Sequence, residues 1–249
     1  MARRCAHALD RDLPGGYAGC APRANDSNGE TVGYWAKGTR VSAKTVHANA
    51  DLRILKTRDA IWEAVLSLTE EKGFERITVS DIARRARINR TTFYAHFTDK
   101  ETVIRDGVAA MMRNLIARWE PAPERISTAQ ATTPHANTVL WFDHVRENAR
   151  FYRAMFVTGE LARFSGEIES LFHRLAMTRL GEHPAPPRPT MPAEIVMSAT
   201  IALNLGLVKW WLRDGLKDSP ETMAIRYQEL LVYGTYGVLR LPVPPIPEA

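Results

Sequence analysis

The chain has 249 residues, a hydrophobic fraction of 45% and a formal net charge of +5, with a pI of about 9.4. A core can therefore be buried, and the mild basic balance permits a nucleic-acid partner without requiring one. Both cysteines, Cys5 and Cys20, precede residue 51, so the body has neither a disulfide framework nor zinc spacing, which fits a reducing cytosol. No continuous apolar run precedes Asp10, Arg11 and Asp12, so a secretory signal is not expected. The most apolar stretch, Met197–Leu212, is short for a bilayer span, contains Asn204 and Lys209, and reads as a buried helix. The expected localisation is cytoplasmic, with no membrane partner.

Residues 1–50 hold Gly15, Gly16, Gly19, Gly29, Gly33 and Gly38, show no sustained apolar period, and read as a disordered extension or an upstream start-site artefact. Beyond residue 51 helical periodicity dominates and strand alternation is absent, so the fold class is all-α. A first helix is expected over about 56–72, with Ile61, Val65 and Leu68 as its stripe and Ala64 beside it. Gly73 stops it as a left-handed residue, and Phe74 supplies the following hydrophobic contact. A second helix opens at Thr78, whose spacing to Asp81 is that of a capping box, and ends near Arg85. Asn89 caps a short third helix over 90–96. A fourth is expected to open at Thr98 with Glu101 as box partner. Its stripe is Ile104, Val108, Met111, Leu115 and Trp119, and Pro121 and Pro123 end it.

Residues 120–137 are polar, contain proline and read as a connection. Helical texture returns over about 138–148, 151–156 and 161–180, followed by a proline-rich loop over 182–192. Two well-marked helices, about 193–214 and 221–240, finish the body. Gly215 and Leu216 stop the first, and Ser219 and Pro220 take the N-cap and N1 positions of the second. The predicted division is an extension over 1–50, a helix-turn-helix domain over 51–104, a helical body over 105–241 and a proline-rich tail over 242–249.

The informative segment runs from Thr78 to Lys100, where two short helices separated by about three residues make a helix-turn-helix. Val79 and Ile82 face inward, Ala83 is small where the helices approach, Ile88 plugs the turn, and Phe93 and Phe97 bury the back of the reading helix. The opposite face keeps Arg90, Thr91, Thr92 and Tyr94, all able to touch DNA. Arg90 and Thr91 are the expected base contacts, because a guanidinium pairs with guanine O6 and N7 and a threonine methyl meets a thymine methyl. Thr92 fits either a base or a phosphate. Asn89 is a cap first and a DNA contact second. Thr78 lies at a helix N-terminus, where free N–H groups favour a phosphate.

The stretch from Arg58 to Ile104, with Gly-Phe, Ile-Thr-Val-x-x-Ile-Ala and Thr-Phe-Tyr-x-His-Phe-x-x-Lys in order, resembles the N-terminal reader of TetR-type regulators. Residues 210–215 and 219–233 are similar to the last two helices of one subgroup of that family. The resemblance implies an N-terminal three-helix DNA-binding domain and a C-terminal bundle for dimerisation and effector binding. It also implies that Tyr94, His96 and Lys100 contact the DNA backbone. Lys100 sits in the first turn of a helix, where a cation is unfavourable to the dipole, and a nearby phosphate would offset that. Two positions depart from the family pattern. Arg87 stands where the turn usually holds glycine, which carries a cost if the backbone there is left-handed. Thr91 stands where the reading helix usually holds glycine.

Most of the aromatic residues belong to the core, but Trp119, Trp141, Phe156, Asn204 and Trp211 are candidates for an effector pocket. A two-turn reading helix is too small to be specific alone, so a homodimer on a palindromic operator is expected, pairing through about 193–214 and 221–240. The family default is a repressor released by an unknown small molecule. The rivals are a helical protein-interaction adaptor, which would keep the bundle without needing Arg90, and an enzyme. No clustered acid/base pair, phosphate-cradling loop or nucleophile elbow supports the latter. No cofactor is expected, and His135, His144 and His173 lack metal-like spacing.

Overall fold

A computed structural model describes residues 47–119, 133–170, 173–174 and 191–240. Among them every regular element is helical. In chain order they are α1 (His47–Lys72), a 3-10 turn (Phe74–Arg76), α2 (Val79–Arg85), α3 (Arg90–His96), α4 (Lys100–Ala117), α5 (Ala136–Glu147), α6 (Ala149–Phe156), a second 3-10 turn (Ala162–Phe164), α7 (Ala193–Arg213) and α8 (Pro220–Val238). Of the extension expected over residues 1–50, residues 1–46 lie outside the described residues and 47–50 are instead the start of α1; residues 182–190 of the proline-rich loop expected over 182–192, and the tail from 241, also lie outside them. So do residues 120–132 of the connection expected over 120–137.

The residues form two units. The first comprises 47–119 and 154–165, and the second comprises 133–153 with the described residues beyond 165. All of α4 lies in the first unit, so the division expected at 104/105 falls inside a continuous helix. Residues 154–165 join the first unit across a long gap in sequence.

In the first unit, α1 starts about nine residues earlier than its apolar stripe indicates. Nothing between 47 and 56 breaks a helix, and Ala48, Ala50, Leu52 and Leu55 favour one, so propensity extends it beyond the packed stripe. Gly73 stops it with φ of 81°, its N–H donating to Thr69 O at 3.0 Å, and Phe74 is fully buried behind it. The core joins Ile61, Trp62 and Val65 of α1 to Ile82 of α2, Phe93 of α3, and Ile104, Met111 and Leu115 of α4. Trp119 lies beyond the end of α4 and is half-buried.

The N-cap of α4 is Asp99, not Thr98. Its carboxylate accepts from Thr102 N–H at 2.6 Å and from the Thr102 hydroxyl at 2.7 Å. An ionised carboxylate is a stronger acceptor than a hydroxyl, so it takes the cap when the two stand side by side.

In the second unit, Phe142 of α5 packs edge-on against Trp211 of α7 and Tyr227 of α8, and Met223 and Ala224 of α8 are fully buried. Burial pushes the Tyr227 phenol up to about 12. Ser219 accepts from Thr222 N–H at 3.2 Å and caps α8 as expected. The helix is interrupted at Gly234, where φ is 62°. The long helix expected over 161–180 begins instead with the 3-10 turn and is helical over 165–170.

The helix read as buried, α7, is largely exposed. It has the length and apolar content of a membrane span, yet only 22% of its most apolar stretch is buried. Leu205, Val208, Trp211 and Leu212 form the covered part, while Ile195, Val196 and Trp210 face outward. Apolar content shows that a face needs covering, but not that the same chain covers it.

Candidate nucleic-acid interface

The reader is built from local caps. The Thr78 hydroxyl accepts from Asp81 N–H at 3.2 Å, and Asp81 Oδ2 accepts from Thr78 N–H at 3.1 Å, completing the capping box of α2. Asn89 Oδ1 accepts from Thr92 N–H at 2.6 Å and fixes the start of α3. Phe93 and Phe97 are buried against the unit, so α3 turns its other side outward: Arg90, Thr91 and Tyr94 are exposed, the last by 50%. Thr92 and His96 are half-buried.

Arg58 of α1 braces this helix from behind. Its guanidinium lies 4.4 Å over the Phe97 ring, pairs with Asp106 of α4 at 2.6 Å and donates to His96 O at 3.5 Å. Partial burial, and then the Arg58 charge, pull the His96 imidazole below its ordinary value.

The cations in and around α2 divide into engaged and open groups. Arg85 forms a two-pronged pair with Glu71, both bonds at 2.6 Å, and that contact holds the Glu71 carboxyl below its usual range. Arg84 bonds Asp81 at 2.7 Å. Lys72 also reaches Asp81 at 2.7 Å and, with the Thr78 hydroxyl, holds that carboxyl far below the carboxylate range. No ion pair engages Arg87 or Arg90 among the described residues.

An exposed polar face on a short helix, set on a two-helix foundation and flanked by unpaired cations, is the geometry of a major-groove reader. Residues 61–106 match the model of the tetR family of bacterial regulatory proteins, and residues 132–233 match that of a transcriptional regulator C-terminal region. The chain belongs to the TetR family. TetR regulators are DNA-binding transcription factors and not enzymes. The chain is 37% identical over 73 residues to the HTH-type transcriptional regulator YxbF of Bacillus subtilis, a match covering 28% of this chain and 19% of that protein. It is 33% identical over 91 residues to YdeS of the same organism, covering 36% of this chain and 44% of the relative. These matches span less than half the length of either relative. A TetR transcriptional regulator from Streptococcus agalactiae 2603V shares the fold, with a TM-score of 0.55 at 21% identity over 74% of this chain and 98% of that one.

Lys100, which matches the family pattern, and Arg87, which departs from it, both have a defined local geometry. The structure gives Lys100 a partner other than the phosphate expected from the resemblance. Its ammonium donates to the main-chain oxygens of Phe74 at 2.9 Å, Glu75 at 3.1 Å and Ile77 at 3.2 Å, and lies 4.7 Å over the Phe74 ring. An ammonium has three protons, and all three are used. These carbonyl dipoles offset the unfavourable first-turn position that a phosphate was invoked to explain. At Arg87 the backbone is left-handed, with φ of 56°, a conformation that costs a residue bearing a β-carbon about 1–2 kcal/mol.

The same 3-10 turn is held from its other side by residues distant in sequence. Glu160 accepts from Phe74 N–H at 2.9 Å. Arg163 bonds both Glu75 and Glu101 at 3.0 Å, with its guanidinium 4.8 Å from the Phe74 ring. Sequence reasoning did not single out Arg58, Glu160 or Arg163. Only Arg58 left a trace, as the first residue of the family-like stretch.

The five effector-pocket candidates are divided between the two units. Trp119 and Phe156 lie in the first unit, and Trp141, Asn204 and Trp211 lie in the second. Trp211 is core, donating its indole N–H to Asp218 O at 3.1 Å. Asn204 is half-buried. Trp141 belongs to a buried polar cluster that sequence reasoning missed. It stacks on His144, whose Nε2 lies 3.1 Å from the Tyr152 hydroxyl, and Asn148 donates to His144 O at 2.6 Å.

Proposed function

We propose that this TetR-family protein is a ligand-responsive repressor that binds a near-palindromic operator as a homodimer. The observation that carries the DNA reading is the outward face of α3, where Arg90, Thr91 and Tyr94 are exposed while Phe93 and Phe97 anchor the helix. Arg90 and Thr91 meet base edges, Thr92 serves a base or the backbone, and Tyr94 and His96 serve the backbone. Asn89 and Thr78 act mainly as caps that aim α2 and α3, and any DNA contact from them is secondary.

Dimerisation is assigned to α7 and α8. Ile195, Trp210, Leu231 and Tyr233 are all more than two-fifths exposed, a concentration of apolar surface that water disfavours and a second copy would cover. Effector sensing is assigned to the second unit, and it would shift the spacing of the two readers. Coupling of this kind is typically about 1–3 kcal/mol. A protein of this kind works in the cytoplasm, where its operator is.

The test is a mobility-shift titration on duplexes flanking the chain's own gene. Wild type should retard one of them specifically, and Arg90→Ala should lose roughly 1–3 kcal/mol and relax discrimination at one base position. Equal binding to every duplex by both proteins would favour a helical adaptor and reject the regulator assignment.

A further inference from the structure

The turn between α2 and α3 is fixed by its main chain. Arg87 N–H donates to Arg84 O at 3.2 Å and Ile88 N–H donates to Ala83 O at 2.9 Å. Both bonds would form equally well with glycine at 87, and φ of 56° is a conformation glycine adopts freely. Nothing among the described residues compensates the arginine: its side chain is exposed, and neither a hydrogen bond nor an ion pair engages it. The two arginines that precede it are engaged, Arg84 with Asp81 and Arg85 with Glu71. A strained backbone beneath an unpaired surface cation, three residues before Arg90, places the use of that side chain outside the folded chain.

We infer that Arg87 is a further DNA contact of the reader, its guanidinium taking a phosphate of the duplex backbone beside the bases met by Arg90 and Thr91. This rests on the operator-binding reading above. The planar fork of a guanidinium matches two phosphate oxygens, and the residue stands in the turn, ahead of the helix that enters the groove. A contact of this kind fixes register and adds affinity without reading sequence. Its signature is counterion release, so it is seen in salt dependence and not in base preference.

The full-length protein is used to enrich a duplex of about 25 base pairs from a random library, long enough for two half-sites. The enriched duplex and an unrelated one of equal length are then titrated over a salt series with wild type, Arg87→Gly, Arg87→Ala and Arg87→Lys. Arg87→Gly is expected to raise the thermal midpoint while weakening binding to both duplexes by roughly tenfold. It also lowers the log–log salt slope by about 0.9 for each phosphate that is no longer neutralised. Arg87→Ala loses the same affinity without the gain in midpoint, and Arg87→Lys keeps most of the slope. Wild-type affinity and slope in Arg87→Gly overturn the assignment and leave the operator reading standing. If wild type enriches no duplex, the operator reading fails and Arg87 falls with it.

Discussion

Gly107 of α4 lies directly against the indole of Trp62 in α1, so close that a β-carbon on it would stand 2.1 Å from Cζ3. Glycine in mid-helix costs roughly 0.5–1 kcal/mol relative to alanine, and it is retained where two elements approach more closely than a methyl group allows. Gly107→Ala is therefore expected to destabilise the protein by about 1–3 kcal/mol, despite the better helix propensity of alanine. Urea unfolding reads this as a lower midpoint at unchanged slope, and adding Trp62→Phe should restore part of the loss. A midpoint equal to wild type would mean that the buried indole swings aside without penalty.

Lys100 is the position where family expectation and local geometry diverge most sharply. Lys100→Met keeps the apolar stem over Phe74 but leaves the carbonyls of Phe74, Glu75 and Ile77 without their shared donor. The expected cost is about 1–3 kcal/mol of stability. Under conditions where the variant is folded, the salt slope of DNA binding should match that of wild type. A slope reduced by about 0.9 per protomer would instead show that the ammonium leaves its clasp for a phosphate.

These two residues mark what the sequence can disclose. The caps at Thr78 and Asn89, the stop at Gly73 and the buried pair Phe93 and Phe97 depend on neighbours within one or two turns, so spacing alone reveals them. The left-handed Arg87 was foreshadowed in another way, by the glycine that the family pattern usually holds at that turn. The clasp at Lys100 was not, because main-chain oxygens carry no residue-specific signature. Glu160 reaches the Phe74 N–H across 86 positions, which no local period encodes. The burial expected for the Met197–Leu212 stretch is only partly met within the chain, because hydropathy marks an apolar face without saying what covers it.

The exposed apolar residues of α7 and α8 make the dimer testable by a single charge. Leu231 is 45% exposed on α8, so a glutamate there costs the monomer little, whereas at a symmetric interface it is buried close to its own mate. Leu231→Glu is expected to sediment as a monomer at micromolar concentration with unchanged helical content. Its affinity for a two-half-site duplex should fall steeply, while its affinity for an isolated half-site stays that of wild type. A variant that remains dimeric would move the interface away from this face.

His96 links DNA binding to pH, and the sign follows from its surroundings. Partial burial, and then the Arg58 charge, keep the imidazole below its ordinary value of 6.5, so the ring is neutral at pH 7. A phosphate brought against it would favour the imidazolium and raise the value in the complex. Binding then takes up a proton. Affinity rises as pH falls below neutrality through the bound-state value, and it levels off below the free-state value, which is under 6.5. For the free protein the sign reverses. The unfolded chain holds this proton more tightly than the folded one, so stability falls as pH drops through about 6.5 and flattens below the folded value. His96→Gln keeps a hydrogen-bonding side chain but cannot titrate, and it should flatten both profiles. If wild-type affinity shows no rise in acid beyond that of His96→Gln, then no phosphate reaches His96 and its role is confined to the brace formed by Arg58 behind α3.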